Sequence, residues 1–556
     1  MASSCFQTMW PNPSRRGSIL VLALFLMITL FYVGVTFHRL LPTELHAANR
    51  LVKDSQAYYA ADAGARHAIA FLESETRRGR RVDRENLEGS LGAWSWQARI
   101  LPLRQGSFRI NVSVLDEQAS RVSDLVVTLE QDLFSQYAWF EDQLAPQVTI
   151  PVSGWRIDGP VRFNSVLRLD GIHSETWQGG RAPFGSSLLV AETTADQFRG
   201  DGIRYLGPRG QGWLDIDLRP YDDQGNPLPD RYRRLLRHGR TALRSGVRPL
   251  AMEDFRARLQ QEATALGPAG EEGPRFRLGV EGQQVTGGVM LPVDVYQIQL
   301  VVENPSSRTA RIWVVTDRVY CYVLTEAVFG PVDLVDGRRL NQGETALTIY
   351  RSRNRSTSDS ASADFADPAQ DPELELVRVE RHLGLTNGLI YCEGNVGSAR
   401  GGGLRGVNRG ARTVAAGGTI FLQGDLLPAE LSSLGALTTS GGDTLGVVAR
   451  TLRINLPDRG GPPRRSDDPL YLYGSYYAGG VASGSDRAGL QIDEPYSGNS
   501  GRIELVGGLQ VQTTNGGQPD SAMALSLTYD PNISRQPPPY YPRQARFKIV
   551  GWATRR

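Results

Sequence analysis

Arginines at helical spacing are the residues of this chain best suited to chemistry with a ligand. The stripe and its close neighbours are Arg231, Arg233, Arg234, Arg237, Arg240 and Arg244. On a helix, steps of three and four residues place side chains on one face. Guanidinium groups in such a stripe bind phosphates without reading base sequence. The spacing therefore predicts a phosphate-binding face. The alternative is a solvated face whose arginines pair with nearby carboxylates.

A second arginine group lies in a segment that is extended in character. Arg351, Arg353 and Arg355 alternate along it, so a strand would point all three side chains the same way. Arg405 and Arg409 follow in the glycine-rich stretch 400–412. These residues are further candidates for phosphate contacts.

Motifs for catalysis are missing from the sequence. Neither lysine follows a glycine as a Walker loop requires, and there is no Gly-x-Ser-x-Gly or His-Glu-x-x-His motif. Gly401–Gly406 fits a dinucleotide fingerprint formally, but without a βαβ unit around it we expect a glycine-rich turn. Carboxylates such as Asp170 and Asp215 meeting in a groove remain the enzymatic alternative. We expect no enzyme, no catalytic or metal-binding residues, no cofactor and no small-molecule substrate.

Composition is that of a large, turn-rich chain. Its 556 residues include 61 glycines and 32 prolines, and a formal net charge of +2 gives no global field that would recruit an anionic partner. Lys53 and Lys548 are the only lysines. Cys321 and Cys392, both in apolar strand-like runs, are candidates for a disulfide, with two buried free thiols the favoured alternative.

The element at the N-terminus is an apolar block, residues 18–37, directly after Arg15-Arg16-Gly17. Its length of about twenty residues spans a hydrocarbon layer of about 30 Å, and exceeds that of a cleaved signal core. The arginines place the N-terminus in the cytoplasm. We therefore expect a single-pass inner-membrane helix with an extracytoplasmic C-terminus. Residues 38–80 stay helical in pattern, with a kink at Pro42.

These residues carry a family resemblance. Arg15-Arg16-Gly17-Ser18, the apolar helix and the segment Gln56–Gly64 resemble a type IV prepilin, in particular PilX-like minor pilins and the largest minor pseudopilin of type II secretion. The resemblance implies that a prepilin peptidase cuts after Gly17 and that the new amine of Ser18 is methylated. It also implies that the helix packs against other pilins. An ordinary single-pass anchor with a helical stalk is the alternative.

One departure from the family pattern concerns the fifth mature position. Most pilins carry a glutamate there that meets the terminal amine of a neighbouring subunit, whereas this chain has Leu22. A subunit without that carboxylate cannot supply the pairing. By analogy with family members that also lack it, the resemblance implies a rare subunit at the filament tip.

The rest of the chain has the pattern of short strands. Trp94–Leu103, Phe108–Val114 and Val122–Leu129 predict the strands of a small pilin-type antiparallel sheet within 81–131. Residues 132–540 alternate short apolar runs with glycine-bearing turns, which predicts a β-solenoid, or a β-sandwich if the strands pair as hairpins. Helical patterns at 231–244 and 251–265 place a helical insert at about 230–266. The strand-like run in 541–556 is expected to return to the small sheet.

The predicted fold is therefore α+β and mainly β, with a long N-terminal helix, a small sheet and a large inserted solenoid-like domain. Gly388–Gly397, Asp443–Leu456 and Asp530–Trp552 resemble a β-rich domain that often follows PilX-type N-termini. The layout is also similar to that of a competence-associated tip pilin with an inserted β-solenoid. That resemblance implies capture of double-stranded DNA at the tip of a type IV or competence pilus. Initiation of a type II secretion pseudopilus and adhesion to surfaces or glycans are the alternatives.

Overall fold

The chain forms two compact units. Unit 1 comprises Met1–Gln131 and Ala545–Arg556, and unit 2 comprises Asp132–Gln544. The computed structural model describes residues 14–77, 82, 84–104, 107–118, 120–142, 150–151, 155–164, 167–170, 188–191, 203–206, 213–215, 243–247, 252, 255–263, 276–302, 310–316, 319–328, 330–353, 368–399, 401–429, 443–454, 469–480, 488–492, 502–512 and 524–555.

A single helix, α1, opens unit 1. It spans Ser14–Arg77 and has Pro42 inside it. At 1.5 Å per residue its 64 residues extend over about 96 Å. Alanine and leucine, the two strongest helix formers, recur along its whole length, which favours a continuous helix in spite of the proline. The helix begins four residues before Ser18 and runs through the whole segment that the sequence predicts as helical up to residue 77.

The sheet of unit 1 has five strands in the order β1-β2-β3-β4-β31. Their bounds are β1 Glu85–Leu91, β2 Trp94–Arg104, β3 Ser107–Leu115, β4 Arg121–Leu133 and β31 Arg543–Arg555. Strands β1 to β4 pair antiparallel as hairpins. Alternate residues of β3, among them Ile110, Val112 and Val114, are buried, as expected for a sheet with one covered face. The three strands predicted at 94–129 are confirmed, and β1 is an addition to them.

Unit 2 is built mainly of strands. They are β5 Trp139–Glu141, β6 Ile150–Pro151, β7 Trp155–Asp158, β8 Val161–Phe163, β9 Leu167–Asp170, β10 Leu188–Ala191, β11 Ile203–Leu206, β12 Trp213–Asp215, β13 Leu243–Val247, β14 Arg277–Glu281, β15 Gln284–Leu291, β16 Gln297–Val301, β17 Ala310–Val315, β18 Tyr320–Glu326, β19 Val332–Asp333, β20 Arg339–Leu340, β21 Glu344–Ser352, β22 Leu374–Leu383, β23 Leu389–Cys392, β24 Gly403–Asn408, β25 Ala411–Pro428, β26 Thr444–Ile454, β27 Leu470–Ala478, β28 Gly489–Ile492, β29 Arg502–Val511 and β30 Ala524–Thr528. Two short helices, α2 Arg256–Ala263 and α3 Pro531–Arg535, accompany them. The prediction of a mainly β chain behind one long helix is confirmed.

Parallel pairing dominates the larger part of unit 2. One row of directly paired residues runs through Met290, Tyr391, Ala415, Val448, Tyr477, Gln510, Phe140, Arg162, Leu189 and Arg244. Met290, Tyr391, Ala415, Val448, Tyr477 and Phe140 of this row pack in one hydrophobic cluster, and the sequence neighbours Leu291, Ala416 and Val511 pack in another. Both faces of these strands are therefore buried, which is the normal condition of a parallel sheet.

Two further parallel ladders use other parts of the same strands. One connects Ile298, Leu404, Leu422, Ile454 and Ile492, and the other connects Leu470, Ile503, Leu525 and Trp155. Gly507 lies where β29 passes from one ladder to the next, with φ of 133°. A Cβ built there would lie 1.9 Å from the carbonyl oxygen of Gly474, so the close approach of the two strands requires glycine.

Antiparallel pairing within unit 2 is concentrated, among the described strands, in β14–β15 and in the series β16-β17-β18-β21-β22. In that series Ile312, Val314, Tyr322 and Leu324 belong to the large core. The opposite face carries Trp313, Val315, Cys321, Val323 and Tyr350, which form a cluster of their own. A two-stranded hairpin, β19–β20, lies between β18 and β21 in sequence.

The helical prediction for 231–244 is wrong at its C-terminal end. Leu243–Val247 is strand β13, which pairs parallel with β10. Backbone hydrogen bonds of the ladder override the local helical spacing there, as tertiary context often does. Residues 231–242 lie outside the described residues. In the second predicted helix, residues 256–263 form α2.

Candidate functional site

The N-terminal part of α1 exposes a continuous apolar surface. All fifteen large apolar side chains from Ile19 to Phe37 are exposed, from 39% at Val35 to 75% at Leu20. Burying a side chain of this kind stabilises by roughly 1.5–3 kcal/mol. An apolar surface this large is typical of a segment that contacts a membrane or another protein. In the described part of the chain, α1 is the one helix long and apolar enough to cross a membrane.

The two threonine hydroxyls of this apolar segment are hydrogen-bonded within the helix. The Thr29 hydroxyl donates to the Phe25 carbonyl at 2.7 Å, and the Thr36 hydroxyl donates to the Tyr32 carbonyl at 2.7 Å. Residues 18–37 contain no charged side chain. Because the two threonine hydroxyls are already hydrogen-bonded within the helix, neither of them opposes burial of the segment in hydrocarbon.

Exposed apolar side chains continue beyond the membrane-length segment. Leu40, Leu41, Leu45, Leu51 and Val52 are each more than half exposed. Pro42 lies among them and removes one backbone donor, which allows a bend in the helix. The surface that needs covering therefore extends past a single bilayer thickness.

The C-terminal part of α1 has the opposite character. Ala57, Ala61, Ala65, Ala68 and Leu72 are fully buried at steps of three and four residues. They pack in one cluster with the sheet residues Ile100, Ile110, Val112, Leu125 and Val127. Small side chains let the helix lie close to the sheet, so one helix joins the exposed apolar segment to a folded head.

The segment Gln56–Gly64, which carries part of the family resemblance, forms this contact. Gln56 Oε1 accepts a hydrogen bond from Trp94 Nε1 at 3.4 Å. A Cβ built at Gly64 would lie 2.9 Å from Trp96 Cδ2 and 3.0 Å from Val112 Cγ1. Tyr58 and Tyr59 are exposed on the helix. The motif thus fixes how the helix meets the sheet.

The residues expected to be processed lie near the start of α1. Gly17 and Ser18 are helical, and their side chains are outside the described set. Leu22, which stands where most pilins have glutamate, is 68% exposed and belongs to the apolar surface.

Most of the arginines that the sequence predicts to bind phosphate lie outside the described residues. Arg231, Arg233, Arg234, Arg237, Arg240 and Arg355 lie outside the described residues, and Arg244 lies in β13. Arg351 is the partner of Tyr320 in the ladder, and its Cζ lies 6.0 Å from that ring's centroid. Arg353 Nε lies 3.1 Å from Glu375 Oε2, and the two side chains are 60% and 50% exposed. The described members of the alternating group therefore have intramolecular contacts.

Two arginines of the glycine-rich stretch 400–412, Arg409 and Arg412, are buried. Arg409 is buried, and Arg412 donates to Glu326 Oε2 in an ion pair whose side chains are both 5% exposed. The Thr386 backbone N–H donates to Glu326 Oε1 at 3.1 Å. The expectation that Arg409 offers a phosphate contact is wrong, because its side chain is not on the surface. No sequence motif predicted the Glu326–Arg412 pair, which joins residues 86 positions apart.

The two candidate disulfide cysteines are free and buried. Cys321 packs with Trp313 and Tyr350, whereas Cys392 belongs to the large core. Burial raises the pKa of the Cys392 thiol to about 12. The Cys392 thiol donates to the Val293 carbonyl at 3.2 Å and to the Asn395 carbonyl at 3.5 Å. Among the described residues, no group of three or more His, Cys, Asp or Glu residues is placed to hold a metal ion.

Comparisons with known proteins give one match. No protein-family model matches the chain, and no curated protein matches it. Among solved structures, the crystal structure of the competence-associated pilin ComZ from Thermus thermophilus is similar. The sequences are 13% identical, the match covers 90% of this chain and 97% of that chain, and the TM-score is 0.25. A TM-score of this size does not show a shared fold.

Proposed function

We propose that the chain is a minor pilin-like subunit, anchored by α1 first in the inner membrane and then in the stem of a filament. The observation that carries this proposal is the exposed apolar surface of α1, on a helix whose C-terminal part packs on a small sheet. Lipid covers that surface before assembly, and neighbouring helices cover it afterwards. The prepilin-like residues Arg15–Ser18 support cleavage after Gly17 and methylation of Ser18.

The parallel ladders of unit 2 support a β-solenoid inserted in the head. Strands β25 and β26 belong to the first and the second ladder, and β27 and β29 to the first and the third, as is expected of coils stacked on one another. Such coils bury a continuous core between them. Within the proposed subunit, this domain is the part displayed at the filament tip. The tip position is supported by Leu22, which replaces the usual glutamate and suits a rare subunit.

The proposed task of the head is capture of double-stranded DNA in natural transformation. The arginines at 231–244 support it, because phosphate contacts give sequence-independent binding that weakens with salt. Arg351 and Arg353 support it less, because they contact Tyr320 and Glu375 within the chain. The test replaces Arg233, Arg237, Arg240 and Arg244 by Glu in the full chain and measures retention of duplex DNA at low salt. If the variant retains as much DNA as the wild type does, these four arginines are not the DNA-binding site.

A matched control makes the same change of charge elsewhere. Arg66, Arg121, Arg338 and Arg502 are largely exposed, and each lies beside a carboxylate. Their substitution by Glu is expected to weaken DNA retention less than the change at 233–244, although the net charge is equal. Equal loss in both variants would mean that only the overall charge matters.

The biological role is tested by deletion of the gene. DNA capture predicts lost transformation with secretion intact. Initiation of a type II secretion pseudopilus predicts the reverse, and a tip adhesin predicts that attachment fails while both other activities persist. A deletion strain that transforms normally ends the DNA-receptor proposal.

A further inference from the structure

The small sheet of unit 1 has two open edges. Strands β1 and β31 stand at the two ends of the order β1-β2-β3-β4-β31, and among the described strands neither has a neighbour on its outer side. In an edge strand, alternate backbone N–H and C=O groups point away from the sheet and are available to another strand. Each edge is therefore a template to which a further strand can be added.

Strand β31 is the more apolar of the two edges. Lys548, Ile549 and Val550 are exposed in succession, and Trp552 is 37% exposed. Phe547 holds the strand in place, because its ring lies 5.5 Å from that of Phe108 and packs against the core of unit 1. A strand that is already fixed loses little conformational freedom when it pairs. An exposed apolar edge of this kind is typical of a site for strand addition.

The two edges differ in the sign of their charges. Strand β1 contains Glu85 and Glu88 and no basic residue, and both glutamates are exposed. Glu88 Oε1 accepts a hydrogen bond from Gln97 Nε2 at 3.5 Å, which is a weak contact. Strand β31 has no acidic residue, and its basic residues are Arg543, Arg546, Lys548 and Arg555. Among these, Lys548 is exposed beside the apolar residues of the edge.

These charges select which edges can meet. Like charges directly opposite each other destabilise a pair of strands, and opposite charges stabilise it. Pairing of β31 with a second β31, or of β1 with a second β1, is therefore disfavoured. Pairing of β1 with β31 is favoured, because Glu85 and Glu88 then face a basic strand.

We propose that the two edges pair between copies of this chain, so that β1 of one copy adds to β31 of the next and the small sheets join edge to edge. Backbone hydrogen bonds hold the strands together, and the exposed apolar residues of β31 lose contact with water. The contact is head-to-tail and leaves one edge of each copy open, so it can continue from copy to copy. It uses no residue of α1 and goes beyond assembly through the helix.

Carbodiimide cross-linking of the full chain in detergent tests this contact, because the reagent joins a lysine to a carboxylate that touches it. Lys53 and Lys548 are the only lysines of the chain. Within one copy three strands separate β1 from β31. At about 4.8 Å per strand the two edges lie about 19 Å apart. A link from Lys548 to Glu85 or Glu88 therefore forms only between copies. We expect mass spectrometry to detect this link, with a yield that rises with protein concentration.

Charge reversal provides a second measurement. Lys548→Glu and Glu88→Lys each place like charges at the contact, and we expect each to weaken association about tenfold in sedimentation velocity. The double variant restores opposite charges and is expected to associate as the wild type does. Arg109→Glu, at an exposed position of the central strand β3, is the matched control and is expected to leave association unchanged.

All these variants have the same α1, so any association through the helix is common to them and differences report on the sheet edges. Lys548 and Glu88 are exposed, so their substitution is expected to leave the melting temperature unchanged. The proposal is overturned if no link between Lys548 and β1 forms at any concentration, if the single reversals associate as the wild type does, or if the double variant associates no better than they do. None of these results bears on cleavage after Gly17 or on membrane anchoring.

Discussion

Gly64 of α1 lies against the indole of Trp96, so closely that a Cβ at residue 64 would be 2.9 Å from Trp96 Cδ2. Gly34, in the exposed part of the same helix, has no atom within 4 Å of an added Cβ. The two glycines therefore lie in two different halves of α1. Gly64 lies in the half that packs on the sheet, and Gly34 lies in the half whose apolar side chains are exposed.

The first prediction compares Gly64→Ala with Gly34→Ala. Alanine at 64 gains about 1 kcal/mol of helix propensity but overpacks the helix–sheet contact, which costs about 1–3 kcal/mol. We expect a net loss of up to about 2 kcal/mol in the stability of unit 1. Alanine at 34 is expected to cause no loss. Thermal unfolding in detergent, followed by tryptophan fluorescence, checks both. A Gly64→Ala variant that melts above the wild-type temperature would contradict the packing described.

The buried ion pair of unit 2 gives the second prediction. Glu326→Gln leaves the Arg412 guanidinium buried without its carboxylate, which costs about 3–5 kcal/mol in comparable pairs. The matched change Glu375→Gln removes the exposed partner of Arg353 and is expected to cost less than about 1 kcal/mol. Denaturant unfolding of the two variants measures the difference. Equal stabilities would show that the Glu326–Arg412 pair is not buried as described.

A third prediction concerns pH and Asp142. Burial raises the pKa of the Asp142 carboxyl, although the Asn164 side chain donates a hydrogen bond to it at 2.6 Å. A raised pKa means that the folded state binds this proton more tightly than the unfolded state does. The charged form therefore destabilises the fold above that pKa, and the penalty disappears below the ordinary aspartate pKa. Asp142→Asn is expected to stabilise the protein at neutral pH and to lose this advantage on acidification. A stability difference that is independent of pH would contradict the assignment.

Thiol chemistry supplies a fourth prediction. Cys321 and Cys392 are buried, and the raised pKa of Cys392 keeps its thiol protonated at neutral pH. We expect neither to react with iodoacetamide in the folded protein and both to react after denaturation. A chain that retains the segment before Ser18 also carries Cys5, so it bears three labels after denaturation. Rapid labelling of Cys392 in the native state would contradict its burial.

The helix and the small sheet could be predicted from local pattern because their residues repeat at regular steps. Fifteen large apolar residues from Ile19 to Phe37 mark the exposed helix, and alternation in Phe108–Val114 marks a half-buried strand. The strand at Leu243–Val247 was missed because it is held by β10, more than fifty residues away, rather than by its own sequence pattern.

The candidate sites were harder to predict than the elements. Arg409 and Arg412 have the composition of a basic loop, yet one is buried and the other pairs with Glu326. Nothing near Arg412 in sequence indicates that partner. The cluster of Trp313, Val323 and Tyr350 likewise depends on the register between β17, β18 and β21. Spacing along the chain carries no information about either.

Cleavage between Gly17 and Ser18 is the central step of the proposed assembly. Mass spectrometry of the chain in sheared surface fibres, or in their membrane precursors, determines its first residue. Cleavage and assembly through α1 predict a polypeptide that begins at Ser18, carries no Cys5 and is present in the fibre fraction. A chain that still begins at Met1, or that never enters fibres or their precursors, would contradict the proposal.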